Sequence, residues 1–70
     1  MIYPIIEAEV TDIDGKTTRY EAHKTNVLNG FFIMEDIEMI DTEAVDVKKL
    51  FINKDRILNI KMNKINKSKD

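Results

Sequence analysis

Apolar and polar residues alternate with a period of two along this chain. Ile6, Ala8 and Val10 fall on one side, with Glu7, Glu9 and Thr11 on the other. An extended strand turns its side chains to opposite faces at each step, whereas a helix returns to the same face after three or four residues. The pattern therefore predicts a half-buried strand. It recurs in Thr18, Tyr20 and Ala22 against Thr17, Arg19 and Glu21, and in Val45 and Val47 against Asp46 and Lys48, running on to Leu50, Phe51 and Ile52. A last run from Arg56 to Met62 places Leu58, Ile60 and Met62 on one face. Ile33, Ile37, Ile40 and Ala44 also sit at helical spacing. Phenylalanine and β-branched residues are dense there, and no capping residue leads in, so the strand reading is preferred.

Turn residues divide these runs. Asp12-Ile13-Asp14-Gly15-Lys16 contains the Asp-Gly pair that supplies positive φ in a tight hairpin, and Asn29-Gly30 is a second such signal. His23 to Asn29 reads as a connection. Phe31-Phe32-Ile33-Met34-Glu35 is continuously apolar until its last residue, so the third strand is expected to be covered on both faces or to meet a partner. A kink or bulge near Asp36 then carries it on through Ile37 and Met39. Asp41-Thr42-Glu43 is the next turn, and Asn53-Lys54-Asp55 suits a single turn of 3₁₀ helix. The expected domain spans residues 1–63, followed by a flexible basic tail over 64–70. Five short strands in one small domain predict a closed or nearly closed all-β barrel, because closure removes the open edges of a flat sheet.

The chain has 70 residues, no cysteine and one histidine. A disulfide is excluded, and so is a zinc site of the usual Cys/His kind. A chain this short buries only about 60% of the surface it exposes when unfolded, which leaves oligomerisation as the expected extra support. No apolar stretch approaches the roughly 18 residues of a membrane span, and Met1 to Ile6 lack the basic start of a signal peptide, so the expected location is the cytoplasm. Charge is unevenly spread. Met1 to Val47 hold eleven acidic residues against Lys16, Arg19 and Lys24, whereas Lys48 to Asp70 hold eight basic residues against Asp55 and Asp70. The basic end could meet phosphates, but the acidic body would repel them within a Debye length.

Three stretches resemble the small barrels grouped as Sm-like or SH3-like. Asp12 to Lys16 is similar to the turn between the first two strands of Sm-like proteins. Phe32 to Glu38 is similar to their third strand and its acidic bend, and Leu50 to Ile60 to their last two strands around a short turn. Together these cover about half the chain, and what the resemblance implies is an SH3-like or Sm-like five-stranded barrel, with a ring as a further implication. The family's RNA-contacting residues do not carry over: Phe31 stands where the resemblance implies Asn, and Asn53-Lys54 where it implies Arg-Gly.

Enzyme chemistry needs a constellation of groups, and none is evident. His23 has no serine partner nearby in sequence, and the paired carboxylates (Asp12 and Asp14, Glu35 and Asp36, Asp41 and Glu43) read as solvated charge. Asp12-Ile13-Asp14-Gly15 starts like a calcium loop, but the twelfth position falls on His23 rather than a bidentate Glu. No cofactor is expected. The leading expectation is a non-enzymatic interaction module that self-associates through strand edges, with Phe31, Ile33, Leu50, Ile52 and Ile57 at the interface. The first alternative is an Sm-like nucleic-acid binder using Lys54, Arg56, Lys61 and Lys64. The second is an accessory or phage-type inhibitor whose acidic face occupies a basic groove on a partner protein.

Overall fold

The computed structural model describes residues 1–68. Five antiparallel strands form one sheet: β1 (Ile2–Asp12), β2 (Thr17–Leu28), β3 (Phe31–Ile40), β4 (Glu43–Asn53) and β5 (Ile57–Ser68), in the order β4-β3-β2-β1-β5. A 3₁₀ turn, Lys54–Arg56, joins β4 to β5. The first four strands follow one another as a meander, and β5 returns to lie beside β1. The sheet is not closed: β4 and β5 are its two edges and do not pair with each other. The all-β expectation therefore holds, and the sheet is curled and stops short of closure. Among the described residues, no helix is long and apolar enough to cross a membrane.

Each turn has a chemical cause. The Asp12 carboxylate accepts hydrogen bonds from the backbone N–H groups of Asp14 (2.9 Å) and Lys16 (3.0 Å), and Gly15 takes φ +85°. Asn29 and Gly30 both have positive φ, as a two-residue hairpin turn requires, so Leu28 and Phe31 face each other across it. Asp41, at φ +55°, makes the third reversal, and its Oδ1 accepts from Arg19 N–H while its own N–H donates to Arg19 O. In the 3₁₀ turn, Asn53 Oδ1 accepts from Asp55 N–H, and Lys54 N–H donates to Gly30 O.

Two local expectations change. His23 to Leu28 is not a connection but the distal half of β2, paired with β3 as far as the Asn29-Gly30 turn. Its polar sequence misleads because most of this half projects beyond the core and is exposed. Residues 64–68, expected in a tail, are the end of β5, with Lys64 opposite Ile6 and Ser68 opposite Ile2. Residues 69 and 70 lie outside the described residues.

The core lies on the face formed by Ala8 and Val10 of β1 and Ala22 of β2, joined by Phe32, Met34 and Ile37 of β3. Asp36 explains how residues of both parities in β3 reach it. Its φ of +52° breaks the alternation, so even-numbered Phe32 and Met34 and odd-numbered Ile37 pack into the same cluster. β4 makes the matching change: Val45 and Val47, then Leu50 and Ile52, pack against the core, with the switch at Lys48-Lys49. The bend expected near Asp36 is thus the point about which the sheet curls.

Phe32 is 1% exposed and Phe31 is 38% exposed. Truncating Phe32 to Ala should cost about 3–5 kcal/mol, the usual range for a buried phenylalanine. Phe31→Ala should cost clearly less, because much of that ring already meets water. Urea unfolding of the two variants, followed by circular dichroism, measures the difference.

Candidate functional site

Two features stand out: a groove where the sheet fails to close, and a charged network on the opposite face. The groove has Val10 and Tyr20 in its lining, with Leu50 and Ile52 of β4 on one wall and Arg56 and Ile57 on the other. Asp12 and Thr18 complete it. Its volume is about 230 Å³, below the ~300–1,000 Å³ usual for small-molecule sites. It suits a single side chain better than a whole ligand. Burial pushes the Tyr20 phenol above its ordinary pKa, consistent with a ring set into the curled sheet.

The expected interface residues divide. Leu50, Ile52 and Ile57 are half-buried and line the groove. Ile33 is 7% exposed and belongs to the interior. Phe31 lies at the far end of the β2–β3 hairpin, where its ring meets that of Phe51 edge-on with centroids 6.1 Å apart. Val27 and Leu28 are exposed at the same tip, making an apolar patch that the connection reading of this segment concealed. Lys49 Nζ sits 5.9 Å from the Phe51 ring centroid.

The expected basic contacts do not converge on one face. Lys54 and Arg56 lie in the 3₁₀ turn and Arg56 borders the groove. Lys61 stands opposite Glu9 and Lys64 opposite Ile6, on alternate faces of β5. None of these four side chains makes an ion pair among the described residues.

The network lies on the face turned away from Ala8 and Val10. Alternation brings Tyr3 and Glu7 of β1 together there with Arg19, Glu21 and His23 of β2. β3 contributes Glu38, the extra residue of a bulge: adjacent Glu21 and Ala22 stand opposite Met39 and Ile37. β5 contributes Lys67, opposite Tyr3. Glu21 is only 4% exposed, and its carboxylate is held by Lys67 Nζ at 2.6 Å and Arg19 Nη2 at 2.7 Å. Arg19 also pairs with Glu7. Tyr3 Oη donates to Glu38 Oε1 at 2.6 Å, and His23 Nε2 lies 2.6 Å from Glu38 Oε2. The Tyr3 and His23 rings stack, 5.8 Å apart and 7° from parallel.

Only pairwise alternation hinted at this cluster. Its decisive members, Glu38 and Lys67, come from a bulge and from the supposed tail. Tyr3, Arg19, Glu21, Glu38 and Lys67 each have a bonding partner in the network, so its chemistry is that of a clamp joining β1, β2, β3 and β5. Among the described residues, no group of three His, Cys, Asp or Glu side chains is placed to hold a metal ion.

The clamp has a pH signature. Burial pushes the Glu21 carboxyl up, but the hydrogen bonds from Lys67 and Arg19 outweigh it and hold the pKa below the ordinary 4.5. The hydrogen bond from Tyr3 holds Glu38 below that value too. A lowered carboxylate stabilises the fold above its unfolded pKa, and that contribution is lost as pH falls through the folded value. At the other end, the hydrogen bond to Glu21 raises Lys67 above 10.5, so its contribution is present below that pH and lost as pH rises through the folded value. Unfolding free energy measured against pH should therefore begin to drop below about pH 4.5. Glu21→Gln should lower the plateau and flatten that acid limb.

Comparison of the chain with protein-family models, curated proteins and solved structures finds no match.

Proposed function

We propose that this chain is a non-enzymatic interaction module, a small Sm-like or SH3-like β-sheet domain that self-associates through its strand edges. The observation that carries the reading is the pair of free edges. β4 has 11 residues and β5 has 12, and neither has a second neighbour among the described residues. An edge of that length offers a row of unpaired N–H and C=O groups to another strand. Natural edges are usually blunted by charge, proline or short length. Both edges here carry charge, with Lys61, Lys64 and Lys67 on β5 and Asp46, Lys48 and Lys49 on β4, yet β5 also carries Leu58, 69% exposed, and Met62, 50% exposed, and β4 carries exposed Phe51. A small core gains most from covering such groups with a second copy. The 3₁₀ turn between the last two strands and the acidic bend at Asp36 fit the Sm-like resemblance.

A second reading draws on four of the cations that make no ion pair among the described residues. Lys54, Arg56, Lys61 and Lys64 are available to phosphates, and Phe31 and Phe51 offer ring faces for stacking. Their spread over both faces of β5 makes this the weaker reading.

Light scattering coupled to size exclusion should give a mass that rises with concentration above the 8.2 kDa of one chain. Leu58→Lys and Met62→Lys should move the protein toward the monomer without changing its circular dichroism, since both side chains are exposed. A constant monomer mass at high concentration would contradict the proposal. Binding of oligo-U at low salt by that same monomer would favour the second reading.

A further inference from the structure

The β1–β2 turn presents an unusual tip. Ile13 is 56% exposed and stands between Asp12 and Asp14. Turn tips are normally polar, and this one has its neighbours organised to hold it out. Asp12 is engaged inward, accepting from Asp14 and Lys16 N–H groups. The Asp14 carboxylate makes no hydrogen bond or ion pair among the described residues.

The tip also lies at the mouth of the groove. Ile13 N–H donates to Arg56 O at 3.1 Å, and both Asp12 and Arg56 border the cavity. Inside are the apolar side chains of Val10, Leu50, Ile52 and Ile57. At its rim the Arg56 guanidinium has no partner among the described residues. One chain therefore carries an exposed apolar knob beside an unpaired carboxylate, and an apolar socket beside an unpaired guanidinium. The knob and socket adjoin each other.

We infer that the occupant of the groove is Ile13 of a second copy, with Asp14 of that copy on Arg56. This rests on the proposal that the chain self-associates, and it names a surface other than the strand edges. A twofold axis near the turn lets each copy give its Ile13 and receive the other's, the self-complementary arrangement that closes a dimer. The cavity volume of about 230 Å³ admits one branched aliphatic side chain and little more, which favours this occupant over a free-standing ligand. The two Asp14–Arg56 contacts fix the orientation, since the reverse pairing would set like charges together.

The test measures dimer dissociation of the full chain by sedimentation equilibrium, with circular dichroism to show that each variant is folded. Ile13→Asp and Arg56→Asp should each weaken the dimer by about tenfold or more, the effect of losing a central contact. Asp14→Arg should weaken it similarly, and combining it with Arg56→Asp should restore much of the loss. A dimer that persists unchanged in Ile13→Asp, yet dissociates in Leu58→Lys, would overturn this inference and leave edge pairing standing. A wild-type chain that stays monomeric would remove both.

Discussion

The structure depends on one bent position. Asp36 takes a left-handed backbone conformation that costs most residues about 1–2 kcal/mol, and Asp tolerates it better than most. The bend is kept because it lets a strand of ten residues serve one core with both of its parities. Without it, Phe32 and Met34 would point away from the side that Ile37 faces. β4 follows through the change at Lys48-Lys49, and the two strands curl together over Ala8, Val10 and Ala22. A single sheet thereby encloses its own apolar face.

The same curl explains why the sheet stops short of closure and what holds it. β4 and β5 approach from opposite ends of the sheet and leave the groove between them. On the other face, the ends of the chain are tied to its middle: Tyr3 and Lys67 reach Glu38 and Glu21 across long sequence separations. Glu21 shows what this arrangement demands. A carboxylate so far removed from water is tolerated only because two cations and their hydrogen bonds replace its hydration. Removing either cation leaves a buried charge partly uncompensated. Self-association would complete the same logic on the groove side, where Leu50, Ile52 and Ile57 are only half-buried.

Much of this was legible in the chain itself. The strands around Ala8, Tyr20, Val47 and Ile60, the turns at Gly15 and Gly30, the 3₁₀ turn and the bend near Asp36 all follow from alternation and turn chemistry. What misled was polarity. His23 to Leu28 looks like a loop because a projecting hairpin has no face to bury, and residues 64–68 look like a tail because lysine and asparagine can line an exposed edge strand. Closure was not legible, because pairing of β4 with β5 depends on how far the sheet curls, a property of many residues together. The charged network was hidden for a related reason. Its register places Glu38 by a bulge, and no local pattern announces which neighbour a bulged side chain will meet.

In an open sheet, β4 and β5 are free edges. Residue-resolved amide hydrogen exchange, followed by NMR in dilute and concentrated solution, reads this edge by edge. The outward-facing amides of β4 and β5 should exchange fast at low concentration while those of β1, β2 and β3 are protected, and protection should appear at an edge as copies associate. Equal and concentration-independent protection along all five strands would mean that β4 and β5 pair within one molecule, and would contradict an open sheet.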